Sequence, residues 1–418
     1  MRKLALAAAL AAGAIVLAGC SSSPGTGEVE SGEIRVWLVG ADTPQEARDY
    51  LITTFADENP GSTLVIEEQQ WTGLVDTLTT ALSSSDSPDI VEVGNTQAPA
   101  FTSVGAFRDL SGIYEELGGD DLLPGFVEAG SYDGTLYAAP YYSGARIVFY
   151  NTAQYEKAGV AVPTTLDEYV ANAGALAAAL PGVSGVYWPG QDWYNALPFI
   201  WENGGEVAVF ENGTWDAQLS SPESLAGLAQ VAEVMASSKA PKDGDETDVW
   251  VPFREEEGAT LSAPSWAYWS IVADGDGKET ALTDSLGYFA LPGKSGGAAQ
   301  VFAGGSNIAI SAKSAHPELA ESALKIIFSD EYQSILAANG LVPAKQSLGG
   351  QVAAATPEIA AVIAEAAANA KLTPASPKWA DVEAARLLQD FFVRVATGGD
   401  IQALATQLDL DIEAILNG

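Results

Sequence analysis

The chain has very little of the chemistry on which many catalytic and metal sites depend. Among its 418 residues are one cysteine, one histidine and two methionines, and only 19 lysines and arginines stand against 55 aspartates and glutamates. Zinc clusters of cysteine and histidine are therefore excluded, and no internal disulfide can form. The net charge of −36 disfavours nucleic acid and anionic lipid surfaces, which bind lysine and arginine. Apolar residues, at 47%, are abundant enough for a sizeable core.

The single cysteine, Cys20, follows a segment with the pattern of a secretion signal. Two basic residues precede an unbroken apolar run over 4–18, which is shorter than the ~20 residues of a membrane-spanning helix. The run ends in Leu-Ala-Gly-Cys, which resembles the lipobox of bacterial lipoproteins, whose cysteine is lipidated. We expect residues 1–19 to be a signal peptide and 20–32 a flexible linker, with the mature chain anchored at the outer face of the cytoplasmic membrane. The alternative is an ordinary secretion signal in which the cysteine has no role.

Strand and helix patterns alternate in the first part of the folded chain. The apolar segment 34–40 reads as a strand, and so do the segments 63–70 and 88–94, with helical segments between them. Thr43 is expected to cap the first helix, with Pro44 as its first residue. This alternation predicts an α/β fold of mainly parallel sheets with helices on both faces, and ligands bind such sheets at the carboxyl ends of the strands. The chain is longer than one core usually holds, which predicts two domains.

The second part of the chain continues with helix signals and one glycine-interrupted strand. Thr165 with Glu168 forms the pattern of a capping box. The segment 302–310 reads as a strand that crosses between domains, and a helix that starts at Pro317 is expected to end at Asn339-Gly340.

No motif gives a positive sign of catalysis. His316 precedes a proline and is expected at the start of a helix. A glycine loop over 287–293 encloses five residues where a phosphate-binding loop needs four, and Ser322 in an S-x-x-K pattern lacks the companion motifs of its enzymes. The acidic turn 274–279 lacks the third ligand and the distal glutamate of a calcium loop, which favours an exposed turn. We therefore expect no catalytic residue, no metal and no cofactor.

The order of segments resembles the extracellular solute-binding proteins of family 1, the maltose- and trehalose-type receptors of ABC importers. The segments that carry the resemblance are, in order, PDIVEVG with GAFRDLS, YDGTLYAAPYYSGARIVFYN, VPTTLDEYV, FIWENGG, APSWAYW and VFAGGSNIAISAKSAHPELAESALKIIFS. The resemblance covers nearly the whole mature chain. It implies a two-lobed periplasmic-binding-protein-like fold of type II, in which each lobe is a mainly parallel sheet flanked by helices. Lobe I is expected over 33–143 and 306–346, and lobe II over 144–305 and 347–418.

The resemblance also implies the position of the hinge. The crossings are expected near residues 143–146 and 303–306, with a third around 346–350. Gly144 stands where maltodextrin-type members have a hinge carboxylate, and the aspartate–arginine pair of their first lobe is missing. These departures argue against maltose itself as the ligand.

The ligand contacts follow from the same resemblance. Trp266 follows an Ala-Pro pair, and Trp379 opens a late helix, where family members place aromatic rings against the sugar. Both tryptophans are therefore expected to stack on the ligand and not to belong to the core, although core packing is the general alternative for a tryptophan. The full set of expected ligand-binding residues is Asp42, Trp71, Asn95, Thr96, Gln97, Tyr142, Asp192, Tyr194, Trp266 and Trp379.

The expected function is capture of a neutral sugar, most simply a disaccharide or short glycoside, by hinge closure. Sugar rings stack their C–H faces on aromatic planes, while carboxylates and amides bind their hydroxyls, and a site without arginine or histidine suits a neutral ligand. The expected partners are this sugar and an ABC permease, with membrane contact only through the lipid anchor, no nucleic acid, and a monomeric state. The alternatives are an exported carbohydrate-active hydrolase, a binding protein for a non-sugar solute, and a scaffold lipoprotein without a small ligand.

Overall fold

The structure is a computed structural model that describes residues 31–274, 277–355 and 359–418. Cys20, the expected signal peptide and most of the expected linker lie outside these residues. In the described part of the chain, no helix is both long enough and apolar enough to cross a membrane.

The described residues form alternating strands and helices. The strands are β1 (Glu33–Val39), β2 (Thr63–Gln69), β3 (Ile90–Gly94), β4 (Ser131–Tyr132), β5 (Thr135–Leu136), β6 (Ala138–Asn151), β7 (Ala208–Glu211), β8 (Thr214–Ala217), β9 (Thr260–Pro264), β10 (Leu286–Phe289), β11 (Val301–Ile310), β12 (Val342–Pro343) and β13 (Ala370–Lys371). The α-helices are α1 (Gln45–Glu58), α2 (Leu74–Ser83), α3 (Ala98–Ser103), α4 (Tyr114–Leu117), α5 (Pro124–Ala129), α6 (Thr152–Ala158), α7 (Leu166–Ala179), α8 (Leu197–Glu202), α9 (Pro222–Ala236), α10 (Trp250–Arg254), α11 (Ala267–Val272), α12 (Pro317–Ile327), α13 (Asp330–Ala338), α14 (Gly349–Ala355), α15 (Ala360–Ala368), α16 (Trp379–Ala384), α17 (Leu387–Ala396) and α18 (Ile401–Asn417).

The main sheet is mixed. Its order is β10-β6-β11-β3-β1-β2, with β12 and β9 also paired to β6 and β13 paired to β11. The strands β2, β1 and β3 run parallel, as their sequence pattern predicts. A helix follows each of β1 and β2 and returns the chain to the end of the sheet at which the previous strand began. β11 lies antiparallel to β3 and β6, so the parallel arrangement is limited mainly to the first three strands.

The long strand β6 joins the two lobes. Residues 138–145 pair with β11 on the side of the first three strands, and residues 146–150 pair with β9 on the other side. The ladder with β11 shifts register between Ser306 and Asn307, which bends it at the crossing. The expected crossings at 143–146 and 303–306 thus lie in two strands that are hydrogen-bonded to each other. The residues expected for a third crossing, 346–350, form a 3₁₀ turn and the start of α14.

The hydrophobic core is divided between the lobes. Two clusters take their members from residues 34–142 and 308–344. One of them contains Leu38, Tyr141 and Tyr332, and the other contains Trp37 and Val93. The largest cluster takes its members from 145–302 and 352–416, apart from Ala337. The lobe boundaries stated above stay a prediction, but the change of core occurs along β6 and β11.

The local helix signals had mixed outcomes. Thr165 caps α7 by accepting a hydrogen bond from the backbone N–H of Glu168, as expected. The cap expected at Thr43 is wrong, because its hydroxyl is 2.8 Å from the hydroxyl of Tyr141 and Pro44 itself is the N-cap. The helix expected from Pro317 is divided into α12 and α13, because Ser329 starts a new helix by accepting from a backbone N–H.

The close approach of β11 to β6 leads to a prediction about Gly305. Its φ is +141°, and a Cβ there would lie 2.3 Å from the carbonyl oxygen of Tyr142. We expect Gly305→Ala to lower the free energy of unfolding by roughly 1–3 kcal/mol through strain alone, and by more where the clash is not relieved. Urea unfolding followed by circular dichroism measures this change.

Gly174 is the matched control, since it lies in α7 with helical φ, and a Cβ added there would meet nothing within 4 Å. Gly174→Ala should stabilise the protein by about 0.5–1 kcal/mol. Equal stability of Gly305→Ala and the wild type would show that the backbone at the crossing is not constrained.

Candidate ligand-binding site

A cavity of about 470 Å³ lies where β6 and β11 cross, and both lobes line it. Its wall in lobe I comes from the loops after β1, β2 and β3, that is, from the carboxyl ends of the parallel strands. Its wall in lobe II comes from the starts of α10 and α11 and from α16. The lining residues are Gly40, Ala41, Asp42, Trp71, Gly94, Asn95, Thr96, Gln97, Tyr142, Gly144, Arg146, Tyr194, Glu246, Thr247, Val249, Trp250, Pro264, Trp266, Phe302, Gly304, Gly305 and Glu383.

The loop after β1 places Asp42 in the cavity. The Asp42 carboxylate accepts a hydrogen bond from the Trp71 indole N–H at 3.0 Å, and the Tyr142 hydroxyl lies 3.3 Å from the same oxygen. Arg48 holds the loop from behind by donating to the carbonyl oxygens of Gly40 and Thr43. Burial raises the pKa of Asp42. The carboxylate is therefore fixed in position but keeps acceptor capacity toward the cavity.

The loop after β3 joins the cavity wall to the hinge. Asn95 donates from its side-chain amide to the carbonyl oxygen of Ala303 at 2.8 Å, and its backbone N–H donates to Gly305. Gln97 lies two residues further, and its side-chain oxygen is buried without a hydrogen-bond partner. This oxygen is an exception, because buried polar atoms in folded proteins usually have a hydrogen-bond partner.

Behind the hinge lies a fully buried carboxyl group, Glu92. It accepts from the backbone N–H of Val39 at 2.8 Å and lies 2.9 Å from the Tyr142 hydroxyl. Burial and, to a smaller degree, the charge of Asp42 raise the pKa of Glu92 to about 7. Tyr142 thereby connects the hinge strand, the buried Glu92 and the cavity residue Asp42.

One basic side chain, Arg146, lies among the lining residues. Its guanidinium donates to Glu246 and to the side-chain oxygen of Asn195, lies 3.9 Å from the carboxylate of Asp192, and covers the ring of Tyr194 at 5.4 Å. Asp192 is buried behind it and does not line the cavity. The positive charge of Arg146 is thus directed at protein carboxylates on two sides.

Glu383 connects the two lobes across the cavity. Its carboxylate accepts from the hydroxyl of Thr96 and from the indole N–H of Trp379, each at 3.0 Å. Thr96 belongs to the loop after β3 in lobe I, whereas Glu383 and Trp379 belong to α16 in lobe II. Burial raises the pKa of Glu383 to about 7.

Aromatic rings form the apolar part of the wall. The rings of Trp250 and Trp266 meet edge to face at 5.2 Å, and those of Tyr194 and Phe302 stack at 4.6 Å. Trp71 faces them from lobe I and is 38% exposed, which is unusually open for a tryptophan. Across the described part of the chain, no group of three or more His, Cys, Asp or Glu side chains is placed to hold a metal ion. The site combines flat apolar surfaces with carboxylate and amide groups.

Residues 40–334 match the family described as bacterial extracellular solute-binding proteins. The chain belongs to this family. It is 32% identical over 397 residues, 91% of each sequence, to the diacetylchitobiose binding protein DasA of Streptomyces coelicolor.

Two solved structures show that the solute-binding protein has the two-lobed fold expected from its sequence. One is the GacH receptor of Streptomyces glaucescens, with 20% identity, a TM-score of 0.79 and coverage of 93% of this chain and 99% of that chain. The other is the substrate-binding protein Lmo0181 of Listeria monocytogenes, with 21% identity, a TM-score of 0.78 and coverage of 93% and 100%.

Eight of the ten residues expected to bind the ligand line the cavity of the solute-binding protein: Asp42, Trp71, Asn95, Thr96, Gln97, Tyr142, Tyr194 and Trp266. Asp192 lies behind Arg146. Trp379 was expected outside the core, and this placement is wrong: its ring is fully buried in the core of lobe II, and only its N–H reaches the site, through Glu383. Whether the eight bind a ligand stays a prediction.

Other lining residues were not expected. The site was predicted to lack arginine, and Arg146 corrects this; a charged residue within the apolar strand 138–151 was the available signal. Glu383 follows Trp379 by four residues on α16, a spacing that puts both on one helix face. Trp250 begins a helix, the same cue that pointed to Trp266. Glu246 lies in an acidic loop that gave no signal.

The buried Glu92 predicts a pH dependence of stability. Because its folded pKa of about 7 is above the unfolded value, its contribution is fully present below about pH 4.5 and is lost as the pH rises through 7. The loss is about 3 kcal/mol for a shift of this size. We expect Glu92→Gln, which cannot ionise, to show a smaller loss of unfolding free energy between pH 5 and pH 7.5 than the wild type.

Urea unfolding at several pH values measures this difference. Glu58→Gln, at the exposed end of α1, removes the same charge outside the site and should follow the wild type. Parallel curves for the wild type and Glu92→Gln would contradict the assignment of a raised pKa to Glu92.

Proposed function

We propose that this solute-binding protein captures a neutral sugar of about disaccharide size and presents it to an ABC permease. The observation that carries the proposal is the cavity itself, in which Trp71, Trp250 and Trp266 offer ring surfaces beside carboxylate and amide groups. Its volume of about 470 Å³ is within the range of small-molecule sites. The names of the relatives support this, since DasA binds diacetylchitobiose, GacH was solved with acarbose and Lmo0181 with cycloalternan.

Capture occurs by hinge closure in this proposal. Asp42 and Trp71 would contact the ligand from lobe I, and Tyr194 and Trp266 from lobe II, while β6 and β11 bend at their crossing. A ligand that touches both lobes stabilises the closed arrangement only through contacts that the open one lacks. The Thr96–Glu383 hydrogen bond is a contact within the protein that also joins the two lobes, because Thr96 belongs to lobe I and Glu383 to lobe II.

The proposed setting is the outer face of the cytoplasmic membrane. A lipidated Cys20 would anchor a monomeric, strongly acidic body through the linker, with the permease and the sugar as its partners. The protein would bind and release its ligand unchanged, without catalysis.

A sugar panel and one tryptophan variant test the binding proposal. Calorimetry with mono- and disaccharides should detect binding of at least one neutral sugar, and no shortened product should form over a day. Trp266→Ala should weaken that binding by roughly 1–3 kcal/mol and leave the melting temperature of the unliganded protein almost unchanged, because a half-buried stacking ring is lost.

Trp379→Ala is the contrasting variant. Loss of a fully buried ring should lower the free energy of unfolding by roughly 3–5 kcal/mol. Binding of amino acids or polyamines with no response to any carbohydrate would overturn the sugar proposal, as would turnover of an oligosaccharide.

The anchor is tested separately with Cys20→Ser. In a bacterial host that lipidates such signals, we expect the wild type in the detergent phase of a Triton X-114 partition and Cys20→Ser in the aqueous phase, because the acyl attachment atom is gone. Ser22→Ala, two residues further, should partition like the wild type. Equal partition of Cys20→Ser and the wild type would exclude a lipid anchor at this residue.

A further inference from the structure

A chain of contacting side chains connects the interior of lobe I to the cavity wall. The carboxyl group of Glu92 lies 2.9 Å from the hydroxyl of Tyr142, which in turn lies 3.3 Å from Asp42. The same oxygen of Asp42 accepts from the indole N–H of Trp71 at 3.0 Å. Asp42, Tyr142 and Trp71 line the cavity, whereas Glu92 is fully buried and does not line it. All of these residues belong to the expected lobe I, so none of the contacts joins one lobe to the other.

Glu92 is held in position at the inner end of this chain. One of its oxygens accepts from the backbone N–H of Val39 at 2.8 Å, and the other oxygen faces Tyr142. The carboxyl group cannot turn away from Tyr142 without giving up its contact with a buried backbone N–H, which is costly. Its orientation toward the hydroxyl is therefore fixed.

The surroundings of Glu92 contain other groups that titrate or carry charge. The groups that face it or act on its neighbours are Asp42 in the loop after β1, Arg48 in α1, Tyr141 and Tyr142 in β6, and Tyr332 in α13. β11 contributes the neutral hydroxyl of Ser306, 3.5 Å from that of Tyr142. Burial raises the pKa of all three tyrosines, so they keep their protons where Glu92 titrates. Within the chain of contacts, a change of charge on Glu92 therefore acts on the hydrogen of Tyr142 and, through it, on Asp42.

The protonation of Glu92 decides which group receives the hydrogen of Tyr142. A protonated Glu92 donates to the hydroxyl oxygen of Tyr142, which then donates its own hydrogen to Asp42. An ionised Glu92 accepts that hydrogen instead, because it is the nearer and the more deeply buried of the two carboxylates. Asp42 then faces a lone pair of the hydroxyl oxygen and keeps only Trp71 of these two donors.

We propose that Glu92 is a positioning residue, which holds Asp42 and Trp71 in place for the ligand through the hydroxyl of Tyr142. The inference rests on the proposed function, since it concerns the wall that would contact the sugar. Binding is then linked to protonation, and the protonated form of Glu92 is the one that favours it. Because the pKa of Glu92 is about 7, affinity should be higher below pH 7 and should fall as the pH rises through 7.

Nuclear magnetic resonance of the unliganded protein tests the chain without a sugar. The ¹⁵N–¹H signal of the Trp71 indole, assigned by its loss in Trp71→Phe, should shift between pH 6 and pH 8.5. In Glu92→Gln the shift should be largely absent, because the amide can accept from Val39 and donate to Tyr142 at both pH values, as a protonated carboxyl group does. Glu58→Gln should keep the shift of the wild type. An equal shift in the wild type and Glu92→Gln would overturn the inference.

Calorimetry with maltose, trehalose and cellobiose, and with any other neutral sugar that binds, tests the effect on affinity. Wild-type affinity should fall about fivefold or more from pH 6 to pH 8.5, which is the lower end of the usual coupling between linked sites. Glu383 also lines the cavity, and its pKa is raised to about 7, so the deciding quantity is the difference between variants.

The variants separate positioning from a merely structural role. Glu92→Gln should bind the sugar as the wild type does at pH 6 and more tightly than the wild type at pH 8.5, a gain that loss of a structural contact would not produce. Tyr142→Phe removes the connection, so adding Glu92→Gln to it should change the pH dependence of affinity no further.

Binding at pH 8.5 that is equal in the wild type and Glu92→Gln, or weaker in the variant, would overturn the inference and leave the proposed function standing. If no sugar binds, the proposed function fails, and the indole titration still decides whether Glu92 acts on Trp71.

Discussion

The pairing of β6 with β11 is the interaction on which both the fold and the cavity depend. β6 continues without a break from one lobe into the other, and β11 remains hydrogen-bonded to it through the crossing. The same two strands carry Tyr142, Arg146 and Phe302 to the cavity wall. A change in the bend of this ladder therefore moves lining side chains of both lobes together. The hinge is in this sense part of the binding site.

The hydroxyl of Tyr142 restricts the protonation of the site. It lies 2.9 Å from Glu92 and 3.3 Å from Asp42, but it has only one hydrogen to donate. Both contacts can be hydrogen bonds only if one of the two carboxyl groups keeps a proton. Glu92 is the candidate, because it is fully buried and its pKa is raised to about 7. A protonated Glu92 leaves Asp42 as the ionised acceptor that faces the cavity.

The sequence predicted structure best where the conformation of a residue depends on its neighbours in the sequence. The strands β1 to β3, the cap at Thr165 and the lobe I loops with Asp42, Trp71 and Asn95 were placed correctly because alternation and loop position determine them. Prediction from the sequence failed where the position of a side chain depends on a contact with a residue far away in the sequence. Thr43 has the pattern of a helix cap, yet its hydroxyl meets Tyr141, which is 98 residues away in sequence.

The predicted role of Trp379 failed for the same reason. A tryptophan at a helix start next to polar residues has the same local pattern whether it faces a cavity or a core. The packing of Trp193 against its ring, at 6.4 Å between centroids, decides this and is not visible in the sequence. Arg146 was missed because its partners Glu246 and Asp192 come from separate segments of lobe II.

Carboxylates of the two lobes act on each other across the cavity, and in the proposed hinge closure this would limit how firmly the unliganded protein stays closed. Asp42 in lobe I has its pKa raised by burial and, to a smaller degree, by the charge of Glu246 in lobe II. The Thr96–Glu383 bond favours closure, but a hydrogen bond to a charged group contributes only about 1.5–3 kcal/mol net. Repulsion between carboxylates in a partly dried cleft acts in the opposite direction. In the proposed hinge closure, a ligand that donates hydrogen bonds to these carboxylates would therefore shift the balance between open and closed states toward closure.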